Sequence, residues 1–121
     1  MQQFSFDDYQ EEATRTSSNY SHVNPKDISK LVYALGLVGE AGELADLVKK
    51  NIAHGHPITK DDRDKLVKEL GDVFWYLSQI AREYGVLLSE VAKTNILKLR
   101  ARYPHGFSIG DSIVRKDTQN G

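Results

Sequence analysis

The chain has 121 residues, a length that suits one domain and lets roughly two thirds of the unfolded surface be buried. Sixteen basic and seventeen acidic residues give a formal charge of -1, which offers no global electrostatic case for binding nucleic acid or an acidic membrane surface. Cysteine is absent, so disulfides and thiolate chemistry are excluded, and no apolar run approaches membrane-spanning length. The polar start MQQFSFDDYQ lacks the basic and apolar regions of a secretory signal, and we expect a cytoplasmic protein.

In chain order, a first helix is predicted from about Phe6 to Arg15, with Ser5 as N-cap, Asp7 and Asp8 in the first turn, and a thin apolar stripe of Phe6, Tyr9 and Ala13. Thr16 to Pro25 reads as a polar linker that ends in a helix start at Asn24-Pro25. The second helix should run from about Lys26 to Ala53 through Gly36, Gly39 and Gly42, with a break near Gly36 as the alternative. Each glycine costs up to about 1 kcal/mol relative to alanine in a helix, so we expect close backbone approach at these sites. His54-Gly55-His56-Pro57 interrupts the pattern, and both histidines read as loop residues rather than metal ligands. Thr59 and Asp62 form a capping arrangement for a third helix that ends at Gly85, and a fourth spans about Leu88 to Arg102 before Pro104. Residues 108–121 turn increasingly polar and are expected to be an extended or frayed tail.

Two acidic signatures stand out, Glu40-x-x-Glu43 in the second helix and Glu69-x-x-Asp72 in the third. Residues three apart share a helix face. At about 100° per residue, Leu37, Ala41, Leu44, Leu47 and Val48 define an apolar arc that contains Glu40, with Glu43 at its edge. Leu66, Leu70, Val73, Tyr76, Leu77 and Ile80 do the same around Glu69, with Asp72 at the edge. If the helices pack on each other, four carboxylates converge, and their burial requires a neutralising cation. Hard oxygen ligands without cysteine favour a hard divalent ion, Mg2+ above all and Mn2+ as a substitute, of the kind that meets substrate phosphates. The plainer reading is a solvated helix surface in which Glu40, Glu43 and Asp46 pair with Lys49 and Lys50.

The fourth helix supplies the complement. Asn95, Lys98 and Arg102 fall on one face beside an apolar arc of Leu88, Ala92, Ile96 and Leu99. A lysine point charge and an arginine fork both suit phosphate oxygens, although basic residues near a helix C-terminus also favour its dipole. Together, the acidic and basic groups describe a metal-dependent site for a polyphosphate.

The stretches GLVGEAGELADLVKK, KELGDVFWYLSQIA and TNILKLRARYP resemble the MazG-like branch of the all-α nucleoside triphosphate pyrophosphohydrolases over about residues 30–107. The resemblance implies an all-α module of four helices within residues 1–107, associating through helices into homodimers or homotetramers. It implies Mg2+ at Glu40, Glu43, Glu69 and Asp72, and phosphate contacts from Lys98 and Arg102 with Asn95 nearby. Tyr76 matches a position that touches nucleotide in relatives, and Gln10 is a looser match to a base contact. Trp75 projects away from the carboxylates and is read as packing. The implied reaction is hydrolysis of a nucleoside triphosphate, ribo or deoxyribo, to the monophosphate and pyrophosphate by activated water, with Glu43 as candidate general base. Two rivals are a di-iron bundle, which wants Glu-x-x-His pairs where Glu43 and Asp72 stand, and a non-catalytic helical module that binds a partner or oligomerises. An apolar surplus at positions such as Val38, Phe74 and Ala81 points to an oligomer.

Overall fold

A computed structural model describes residues 3–18 and 27–118. It is all-helical, with α1 at Phe6–Thr14, α2 at Ile28–Ile52, α3 at Lys60–Glu83, α4 at Leu88–Arg102 and α5 at Ile109–Val114, followed by a 3-10 turn at Lys116–Thr118. The expected helix start at Asn24-Pro25 lies outside the described residues.

Local chemistry explains the boundaries. Ser5 opens α1 through a reciprocal capping box, its hydroxyl accepting from the Asp8 N–H at 3.0 Å while the Asp8 carboxylate accepts from the Ser5 N–H at 2.8 Å. Thr59 and Asp62 repeat the device at α3, as the sequence predicts. At the other end of α3, Gly85 adopts φ 69°, which lets its N–H reach Arg82 O and the Val86 N–H reach Ala81 O, a Schellman closure. The next helix has no side-chain cap of its own. Asp7 of α1 serves instead, accepting from the Ser89 N–H at 3.0 Å and the Ser89 hydroxyl at 2.7 Å, and these bonds hold its carboxyl below the usual range.

The long helices α2 and α3 pair along their length, and α1 lies across α3 and α4. Phe6 and Tyr9 of α1 pack on Phe74, with ring centroids 5.7 and 4.6 Å apart. Trp75 donates its indole N–H to Ala13 O at 3.1 Å and Thr16 Oγ1 at 2.9 Å, and Tyr33 meets it edge-on. Trp75 is therefore a packing residue, as its place on the helical wheel indicates. Gln10 is buried, donating to Ser78 O and Val86 O while accepting from the Leu88 N–H at 3.0 Å. One side chain thus pins α1 to α3 and to the start of α4. Its amide nitrogen and oxygen both bond within the fold.

Helix α2 runs unbroken through its three glycines, but only one of them serves close approach. A Cβ at Gly36 would overlap the Tyr76 ring, whereas Gly39 and Gly42 have nothing within 4 Å of theirs. The three substitutions should therefore differ in sign. Gly36→Ala is expected to destabilise by about 1–3 kcal/mol through overpacking, and Gly39→Ala and Gly42→Ala to stabilise by up to about 1 kcal/mol through helix propensity. Denaturant unfolding of the three variants checks this, and a stabilised Gly36→Ala would mean the Tyr76 ring has room to move.

Residues 108–118 are not extended. Ser108 caps α5 by accepting from the Asp111 N–H at 3.0 Å, and the following 3-10 turn packs back on α4. Local capping, which polar composition does not reveal, accounts for the difference. Ala81 is buried and Phe74 half-buried, but Val38 remains 70% exposed, and Leu35 and Leu97 are similarly open.

Candidate active site

The two acidic signatures meet where α2 and α3 pair. Glu40 and Glu69 are half-buried, and Glu43 and Asp72 are exposed, matching the inside and edge positions of the arcs. Glu40, Glu43 and Glu69 each offer an oxygen within 4.8 Å of the others. Asp72 stands outside that group of three, yet its charge acts on Glu40. Burial pushes the Glu40 carboxyl above the usual range, and the charges of Glu43, Asp72 and Glu69 raise it further. Burial and Asp72 likewise raise the Tyr9 hydroxyl.

A solvated acidic surface does not account for this arrangement. Lys49 and Lys50 both pair with Asp46, at 3.0 and 2.8 Å, and bring its carboxyl down to about 2. Glu40 and Glu43 have no basic partner among the described residues. One oxygen of Glu40 and one of Glu69 are shielded from solvent with no hydrogen-bond partner. A buried carboxylate oxygen without a partner is costly. Three converging carboxylates with two such oxygens fit a hard divalent cation, for which oxygen ligands are the natural set.

A groove of about 760 Å³ opens beside the cluster and is lined by Glu43, Glu69, Asp46, Lys50, Lys65 and His56, with Gly39 and Gly42 on the α2 side. Their bare backbone keeps that wall open, which gives these two glycines a reason other than helix packing. Lys50, Lys65 and His56 were not sequence candidates. They reach the groove because α2 and α3 run antiparallel and Gly55, at φ 69°, turns the loop so that the His56 N–H donates to Lys50 O at 3.2 Å. Their signal in the sequence is spacing alone, with Lys50 seven residues after Glu43 and Lys65 four before Glu69. At the opposite end of the carboxylates, Tyr76 is half-buried over Gly36, its ring 5.0 Å from that of Trp75.

The basic residues of α4 occupy other surfaces. Lys98 is exposed in a shallow groove with Glu90, Thr94 and Asn95, and Asn95 also borders an apolar groove lined by Phe74, Leu77 and Val91. Arg102 is held by Asp117, Nε to Oδ1 and Nη2 to Oδ2, both at 2.7 Å. Neither Lys98 nor Arg102 lines the groove that Glu43 and Glu69 line.

The chain is similar to known proteins over most of its helical part. The chain is 45% identical over 82 residues to "Gene 37 protein" of Mycobacterium phage L5, an alignment covering 67% of this chain and 72% of that protein. It is 36% identical over 75 residues to "Uncharacterized protein YvdC" of Bacillus subtilis (strain 168), covering 57% and 71%. No solved structure matches it. Residues 29–107, which hold all four carboxylates and the Asn95, Lys98 and Arg102 face, match the family described as the MazG nucleotide pyrophosphohydrolase domain, and the chain belongs to that family.

Proposed function

We propose that the protein is a Mg2+-dependent nucleoside triphosphate pyrophosphohydrolase that converts ribo- or deoxyribonucleoside triphosphates to the monophosphate and pyrophosphate. The observation that carries this reading is the pair of orphaned, buried oxygens on Glu40 and Glu69 within a set of three converging carboxylates. Glu40, Glu43 and Glu69 would hold the ion, with Asp72 at the rim, and Mn2+ could replace Mg2+ on the same oxygens. Bound there, a divalent cation supplies Lewis acidity, neutralising phosphate oxygens and lowering the pKa of an attacking water.

The protein's own groups do the rest. Glu40 and Glu69, half-buried where α2 and α3 pair, would hold the ion in place. Glu43 lines the groove and would accept a proton from the water that attacks the α phosphorus. Tyr76 stands one helical turn from Asp72, where its ring offers an apolar face to a nucleoside. Lys98 and Arg102, which lie outside that groove, would contribute phosphate contacts from an associated copy of the chain, with Asn95 beside them. A purely structural helical module would explain the exposed apolar faces but leaves the two orphaned oxygens without a reason.

Those faces support a homodimer or homotetramer. Leu31, Leu35 and Val38 on α2 and Val91, Ile96 and Leu97 on α4 are all exposed, and unpartnered apolar patches mark interfaces. Association would also let the basic face of one α4 approach the acidic groove of another copy. Sedimentation at micromolar concentration is expected to give at least twice the 13.6 kDa chain mass. An active monomer would remove this part of the proposal.

The deciding experiment incubates the protein with the common ribo- and deoxyribonucleoside triphosphates and Mg2+ while separating pyrophosphate from orthophosphate. Pyrophosphate with the monophosphate is the expected product. Orthophosphate, or no product from any nucleotide, would sink the reading.

A further inference from the structure

Arg102 ends α4, and the chain after it is built to bring a carboxylate back to its guanidinium. Ser108 starts α5, Arg115 takes the left-handed conformation at φ 54°, and the Thr118 N–H closes on Arg115 O at 3.0 Å. This reversal delivers Asp117 to Arg102. The contact is bidentate and enclosed, with the two side chains 1% and 18% exposed. Arg115 adds a second cation 3.9 Å from the same carboxylate, and the Tyr103 ring lies 5.8 Å from the Arg102 guanidinium carbon.

The edge used is what matters. Asp117 takes the Nε and Nη2 hydrogens, two of the five donors a guanidinium carries. The two Nη1 hydrogens and the second Nη2 hydrogen, the planar fork that matches a phosphate, lie outside the Asp117 contact, with the Tyr103 side chain as a further hydrogen-bond neighbour of the guanidinium. A free arginine at a helix end samples many rotamers, and ordering its side chain on binding costs conformational entropy. An arginine already clamped from the side has met that cost before substrate arrives. Enclosure of an ion pair is weak evidence for stability, because desolvation offsets much of the attraction. The family match ends at residue 107, so the segment that performs the clamping lies outside it.

We propose that Asp117 is a positioning residue for phosphate binding: from the C-terminal segment it fixes the Arg102 fork so that its outer edge receives a phosphate of the nucleotide. This rests on the reading of Arg102 as a phosphate contact. It makes residues 108–118 part of the nucleotide site rather than an appendage.

The test is a double-mutant cycle on the full chain, with pyrophosphate release from a nucleoside triphosphate and Mg2+ as the readout. Asp117→Asn is expected to raise KM about tenfold and to leave kcat within about twofold. In an Arg102→Ala background the same change should add nothing, because Asp117 acts only through Arg102. Should Asp117→Asn melt below the assay temperature, Asp117→Glu replaces it; it keeps the charge, shifts the carboxylate by one methylene, and should raise KM less with the same dependence on Arg102. Unchanged KM in the Asp117 variants would overturn the proposal. Lowered KM would overturn it too, showing a carboxylate that competes with phosphate, as would equal losses with and without Arg102. If Arg102→Ala alone leaves kcat/KM unaltered, the reading of Arg102 as a phosphate contact fails, and that single variant reveals it independently of Asp117.

Discussion

Glu40→Gln and Glu69→Gln are expected to abolish Mg2+ binding and to lower nucleotide turnover by about a hundredfold or more, at or beyond what changes to the outer shell of a metal site cost. The same variants should melt higher than the parent protein when no metal is present. Without a cation, Glu40 and Glu69 each hold a shielded oxygen that nothing satisfies, and the charges of Glu43 and Asp72 add repulsion. An amide removes the charge and keeps the shape. Each 1 kcal/mol of relieved repulsion corresponds to roughly 4 °C in a domain of this size.

Acidity gives the same effect a second readout. The Glu40 carboxyl is raised in the folded protein above its ordinary value of 4.5, mainly by burial. A carboxyl of that kind binds its proton more tightly folded than unfolded, so its stabilising share is fully present below the ordinary value and is lost as pH rises through the folded value. Metal-free protein should therefore gain stability as pH falls from neutral toward that window. Glu40→Gln should flatten the response, and saturating Mg2+ should remove it, since the ion stabilises the deprotonated site by mass action. Calorimetry showing no Mg2+ binding to the parent, or amide variants that melt lower than the parent without metal, would argue that the carboxylates are satisfied in another way.

The acidic cluster was legible in the sequence because a helical wheel converts linear spacing into direction. Glu40 and Glu69 sit inside apolar arcs, and an arc states which way a residue faces once two helices pair. The capping boxes at Ser5 and Thr59 and the stop at Gly85 were legible for a similar reason, since each depends on residues within a few positions of one another. Contacts spanning dozens of residues were not. Asp7 reads as a favourable first-turn acid, yet it caps α4 through Ser89, 82 residues away. Asp117 reads as part of a polar tail, but a left-handed residue at Arg115 aims it at Arg102. Gly39 and Gly42 read like Gly36, because composition cannot tell a glycine under an aromatic ring from one beside an open groove. His56 and Lys65 belong to the groove only through the antiparallel pairing of α2 and α3.

Gln10→Ala should cost stability without touching catalysis, and so separate the role found for Gln10 from the nucleotide contact its position suggests. The amide donates to two backbone carbonyls, Ser78 O and Val86 O, at 3.1 and 3.0 Å, and accepts from the Leu88 N–H at 3.0 Å. Truncation leaves that buried N–H and both carbonyls without their partner at the junction of three helices. Leaving a buried polar group unsatisfied costs about 1–3 kcal/mol, so a loss of about 3 kcal/mol or more is expected. Against a total stability of roughly 5–15 kcal/mol this is a large fraction, and the melting temperature should fall by about 10 °C or more. Gln10→Glu should fare no better, because a carboxylate can still accept from Leu88 but faces two carbonyl oxygens with nothing to donate. Assayed well below their melting temperatures, both variants should retain the parent kcat/KM and the parent ranking of nucleotides. A change in that ranking with unaltered stability would return Gln10 to the substrate and require the α1 amide to turn out of the helix junction when nucleotide binds.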